Sequence, residues 1–122
     1  MIYSIFIKIV NILSKMNNVD KNKIVGFSQN DLSLITNGNS ENIKNISDPN
    51  RVGHVEDPSG NSISDITPLI MVINAGGTGD KWKEKVHALI SVGVDPNMEV
   101  NYYNRTTTAT ELAYKYRNLD LN

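Results

Sequence analysis

The chain has 122 residues, 39% of them hydrophobic and 20% charged, a balance that suits one compact domain or about three to four short repeat units. A net charge of -1 gives no overall field for nucleic acid, anionic lipid or a strongly cationic partner. Cysteine is absent, which excludes disulfides, thiolate metal sites and a cysteine nucleophile together.

At the N-terminus, Ile2, Ile5, Phe6, Ile9, Val10, Leu13 and Met16 recur at spacings of three and four, the stripe of an amphipathic helix. No positive charge precedes the run and no small residues close it, as a signal peptide would require. Lys8 interrupts a stretch already too short to span a bilayer, so a packed capping helix is expected, with a membrane-associating segment or a signal as alternatives. A polar link, Asn17 to Asn22, follows. Ser28 then opens a short helix with Asp31 three residues on; Leu32, Leu34 and Ile35 are its inward residues and Gly38 its stop. Residues 1–38 are therefore read as a helical N-terminal cap, with LSLITNGN (Leu32 to Asn39) as the tail of an earlier degenerate unit. Residues 39–64 are dense in Asn, Ser, Gly, Asp and Pro and read as a long irregular polar loop.

Order returns in residues 65–122. Thr67 can cap a helix whose first position is Pro68, where a missing N–H costs nothing. Leu69, Val72 and Ile73 form its buried face, and Gly76, Gly77 and Gly79 break it. Asp80 caps the next helix, in which Trp82, Val86, Leu89 and Ile90 recur at helical spacing. Gly93 ends it in a left-handed conformation, before the turn Asp95-Pro96-Asn97. Met98 to Tyr103 can form one arm of a hairpin. Thr108 and Glu111 make a capping box for a last helix carrying Leu112, Ala113, Tyr116 and Leu119.

Motifs that would carry chemistry are incomplete. GGTGDK, Gly76 to Lys81, lacks the spacing of a phosphate loop. His54-Val55-Glu56 opens a zinc-deaminase pattern whose cysteine pair is missing. Ser62, His54 and Asp57 are the residue types of a catalytic triad, at a spacing common in any polar loop. Asp57 and Asp65 bracket that loop as helix caps, and His87 is read as a surface residue. No metal and no cofactor is expected.

The motifs TPLI (Thr67 to Ile70), ALISVGVDPN (Ala88 to Asn97) and TATELA (Thr108 to Ala113) resemble the opening, close and next opening of ankyrin repeats. About one and a half repeats are visible in residues 65–119. Thr67 and Thr108 stand 41 residues apart, longer than the family period of about 33. The excess falls in two loops, around Gly76 to Lys85 and between Asn97 and Thr108. Ile70 stands where the family has His, and Val72 and Ile73 replace a pair of Ala. The resemblance implies an all-α, helix-turn-helix repeat stack with no catalysis. It also implies binding of another protein through hairpin fingers and first-helix faces. Carried onto this sequence, that surface is Asn74, Ala75, Asn101, Tyr102, Tyr103, Asn104, Arg105, Lys115 and Tyr116, with Tyr102 or Tyr103 alternatively packing on Trp82 or the terminal helix. A shortened or capping segment that self-associates through a C-terminal apolar edge, Leu112 and Leu119, is the alternative. A small enzyme working from residues 39–64 is a third reading, supported by no motif. Neither nucleic acid nor a stable membrane span is expected. A cytoplasmic location is, with delivery into a host cell open by family analogy.

Overall fold

Residues 22–75 and 81–121 are described by the computed structural model, so the stripe Met1 to Met16, Asp80 and the glycines Gly76, Gly77 and Gly79 lie outside the described residues. Strand β1 (Lys23–Val25) leads through Gly26 into α1 (Gln29–Asn37). Ser28 caps α1 by accepting from the Asp31 N–H at 3.0 Å. The Asp31 carboxylate does not return the bond. It is buried and accepts instead from the backbone N–H and the hydroxyl of Ser47, at 3.1 and 2.6 Å. Gly38 ends the helix at φ -73, outside the left-handed region; a Cβ there would stand 2.5 Å from the Leu34 carbonyl oxygen.

The stretch expected to be a structureless loop is ordered. It holds a 3-10 turn (Asn42–Asn45), then β2 (Gly53–Glu56) and β3 (Ser62–Ile66). These strands and β1 form an antiparallel sheet in the order β1-β2-β3. Gly53, Val55, Ser64 and Ile66 face inward while His54, Glu56 and Asp65 alternate outward, the period-two pattern of a half-buried sheet. A register irregularity between Val55 and Glu56 and a turn held by Asp57 close the hairpin. Asp57 Oδ1 accepts from the Ser59 and Asn61 N–H groups, each at 2.9 Å. Neither Asp57 nor Asp65 caps a helix.

Helix α2 (Pro68–Ala75) starts as its sequence suggests, with Thr67 Oγ1 accepting from the Ile70 N–H at 3.2 Å. It is buried on every side rather than on one face: Leu69, Ile70, Met71, Val72, Ile73 and the polar Asn74 are all buried. Around it pack α1, α3 (Lys81–Ser91) and, further on, α4 (Ala109–Arg117). Trp82, Val86 and Leu89 of α3 are buried in the same core, with Ile90 at its margin. Gly93 ends α3 at φ +103, the expected left-handed stop. Asn50, from the supposed loop, donates to the Gly93 carbonyl at 2.9 Å and accepts from the Asp95 N–H at 2.8 Å, fixing that turn.

Strands β4 (Val100–Tyr102) and β5 (Arg105–Thr107) form a second antiparallel pair. Thr108 caps α4, its Oγ1 accepting from the Glu111 N–H at 3.1 Å, but Glu111 bonds the Thr107 hydroxyl at 3.0 Å rather than closing the box. Leu112 is buried and Leu119 partly buried against the core, so the expected C-terminal apolar edge is turned inward. The all-α expectation is corrected by these strands. The described residues form an α+β fold with four α-helices and two antiparallel sheets, not a purely helical repeat stack. Apart from the hairpin arm at Met98 to Tyr103, the strands leave little trace in the sequence: each spans only three to five residues, and Ser62, Asp65 and Asn101 among their outward positions are residue types that also build loops.

Candidate functional site

The β4–β5 hairpin is anchored to β3 at two places. Asp65 Oδ2 accepts from the Asn101 N–H at 2.8 Å and Ser64 Oγ from the Tyr103 N–H at 3.1 Å, so β3 holds β4 through side chains. Asp65 Oδ1 also lies 3.3 Å from His54 Nδ1 on the paired strand. On the far side, the Pro96 carbonyl accepts from both the N–H and the hydroxyl of Thr110, at 3.0 and 3.1 Å, joining the preceding turn to α4.

Tyr102 pairs with Arg105, leaving Tyr103 and Asn104 as a two-residue loop at φ 49 and 68. Positive φ at both central positions defines a type I′ turn, for which Asn-Gly is the favoured sequence. Asn tolerates this conformation; a bulky Tyr pays roughly 1–2 kcal/mol for it. The Tyr103 ring folds back edge-on against Tyr102, with centroids 4.8 Å apart, an arrangement that returns about 0.5–1.5 kcal/mol. Its hydroxyl is buried with no hydrogen-bond partner among the described residues, a cost of about 1–3 kcal/mol.

Tyr116 on α4 completes the cluster. Burial, then the nearby Tyr103 and Tyr116, push the Tyr102 phenol up; burial raises Tyr103 as well. Burial also raises Tyr116, while the positive charge of Arg105 draws it back down. The Lys115 ammonium stands 5.8 Å from the Tyr116 ring centroid.

Of the residues assigned from sequence, the structure brings Tyr102, Tyr103, Arg105, Lys115 and Tyr116 into one region, with Asn101 and Asn104 exposed beside them. Asn74 is withdrawn from that surface. It is fully buried and donates to the Ile70 carbonyl at 3.1 Å, because α2 is enclosed on all sides. Ala75 is the last residue of α2. Tyr102 is also buried, supporting the surface from below rather than lining it. Trp82 packs under the Arg117 guanidinium at 4.5 Å, and Arg117 Nε donates to the Ile73 carbonyl at 2.8 Å. Sequence reasoning missed Tyr114, 65% exposed on α4. It lies off the stripe of Leu112, Ala113 and Tyr116, which a helical wheel would have revealed.

The supposed triad is not assembled. Asp57 is turned to its own loop, Ser62 lies opposite Glu56, and exposed His54 faces Asp65. Exposed His87 belongs to no group of potential metal ligands, and no such group occurs among the described residues. No described helix is long and apolar enough to cross a membrane.

No family model matches the chain, and neither the curated proteins nor the solved structures yield a significant match. The ankyrin resemblance therefore finds no support in a family match, and the mixed helix and sheet content departs from the helical stack it implied.

Proposed function

We propose that this chain is a non-catalytic protein-binding module that engages a partner protein through the β4–β5 hairpin and the adjoining face of α4. Tyr103 carries the reading. It combines a left-handed backbone with a buried hydroxyl that has no partner among the described residues, at a turn that Asn-Gly would form without either cost. Backbone strain concentrated in one residue beside an exposed Arg is a pattern of binding sites. Tyr and Arg are also the residue types that dominate interface energies once desolvated. Because Tyr103 also packs on the core, the cleaner test changes exposed neighbours. The chain and an Arg105→Ala/Lys115→Ala variant, both positions exposed and outside the left-handed turn, are compared in affinity capture from lysate, with circular dichroism as the folding control. Proteins retained by the natural chain and lost by an equally folded variant are the expected result. Identical capture by both refutes the reading.

A further inference from the structure

Resting on the reading of this hairpin as a protein-binding surface, we infer that its outer strand, β5, docks edge to edge on β5 of a second copy of the chain. Residues of an antiparallel pair alternate between those that exchange hydrogen bonds across the ladder and those whose N–H and C=O point away from it. Asn101 is of the second kind, since its N–H leaves the pair and is accepted by Asp65 Oδ2 at 2.8 Å. Thr106 is its register partner, so the Thr106 N–H and C=O point away from β4, to the outer side of the hairpin. Thr106 is exposed, and its main chain hydrogen-bonds no other element among the described residues. Such an edge is a template for one more strand.

The charges beside that edge select a copy of the same chain. Arg105 opens β5, is exposed and makes no salt bridge among the described residues. Thr107 closes the strand, and its hydroxyl, 3.0 Å from Glu111 Oε2, keeps that exposed carboxylate at the opposite end. In a two-fold antiparallel pairing centred on Thr106, the two Thr106 residues exchange both hydrogen bonds, and Arg105 of each copy stands opposite Thr107 of the other. Directly opposed side chains have Cβ atoms about 4.5–5.5 Å apart, so each Arg105 reaches the carboxylate held beside that threonine. Two Arg105–Glu111 pairs thus form, one on either side of the axis. A register that sets the two Arg105 residues face to face is disfavoured by their like charges. An unrelated extended peptide meets the same N–H and C=O groups, but the placement of Arg105 and Glu111 matches itself under the two-fold. The contact is distinct from the Leu112 and Leu119 edge expected from sequence, which is turned into the core.

Sedimentation of the chain from roughly 10 μM to 1 mM, a range suited to so small an interface, should show a monomer–dimer equilibrium. Amide exchange at Thr106 should slow as concentration rises. Arg105→Glu alone and Glu111→Arg alone each place two like-charge pairs in the dimer and should weaken it at least about tenfold. An equimolar mixture of these two variants sets every Glu against an Arg and should recover the dimer, which damage to either fold would not allow. Thr106→Pro removes the outward N–H without touching the β4–β5 ladder and should be monomeric with an unchanged circular dichroism spectrum. A monomer at every concentration, a dimer indifferent to these changes, or a mixture that fails to recover overturns the inference. If the chain is monomeric while Arg105→Ala/Lys115→Ala still loses captured proteins, only the choice of a second copy is wrong. If capture is also unaffected, the protein-binding reading falls with it.

Discussion

Asp65 is the residue on which the placement of the hairpin turns, and removing it tests the reasoning most sharply. One of its oxygens accepts from the Asn101 N–H at 2.8 Å, while the other faces His54 at 3.3 Å. A hydrogen bond to a charged acceptor contributes about 1.5–3 kcal/mol. The side chain of Asp65 is 28% exposed and Asn101 is on the surface, so water recovers part of that. The His54 contact is 46% exposed on the histidine side, where such pairs contribute about 0–1 kcal/mol. Asp65→Ala should therefore cost about 1–2 kcal/mol, mostly through the Asn101 bond. Asp65→Asn still offers an amide oxygen to that N–H and should lose about half as much, and His54→Ala less again. Urea denaturation gives the ordering, and amide exchange at Asn101 should quicken in Asp65→Ala but not in His54→Ala. If His54→Ala matches Asp65→Ala, or if Asn101 stays protected without the carboxylate, β4 is held by something other than this bond.

Two glycines should respond differently to the same added methyl group. At Gly93 a Cβ meets nothing within 4 Å, so Gly93→Ala should cost only the left-handed penalty, about 1–2 kcal/mol. At Gly53 a Cβ would stand 2.3 Å from Phe27 Cε2 and 2.5 Å from the Val25 carbonyl oxygen, so Gly53→Ala should be the more destabilising in thermal melts. The phenols of Tyr102, Tyr103 and Tyr116 are raised above the ordinary 10.0. The unfolded chain releases those protons first, so this contribution is intact below that pH and is lost as pH climbs through the folded values. Half-buried Lys85 acts oppositely, since its pKa is lowered and stability from it grows with pH below 10.5. With three phenols against one amine, stability measured in urea should fall on the alkaline side, and phenolate absorbance should rise at lower pH in urea than in buffer. Coincident titrations would mean that the cluster is open to solvent.

What was legible in the sequence was local. Thr67 before Pro68, Ser28 ahead of Asp31, and Thr108 ahead of Glu111 mark helix starts, because a cap satisfies N–H groups within three residues of itself. Gly93 marks a stop because only a residue without a β-carbon takes φ +103 at little cost. The spacing of Trp82, Val86 and Leu89 marks the inward face of α3, and Met98 to Tyr103 reads as one arm of a hairpin, as β4 is. The first sheet was hidden. Lys23 to Val25 become a strand only by pairing with His54 to Glu56, some thirty residues away in the chain, and no local signal encodes such a partner.

Tertiary structure also decided which assigned residues reach solvent. Asn74 looked exposable on a helix read as amphipathic, yet α2 is enclosed by α1, α3 and α4 and leaves it no open side. Tyr102 and Tyr103 are adjacent and chemically alike. Strand alternation buries the first, and a left-handed turn folds the second back onto it. Caps, stops and helical periodicity are properties of a few consecutive residues, so the sequence by itself determined them. The pairing of β1 with β2 and the enclosure of α2 depend on segments far apart in the chain, and only their packing together decided them.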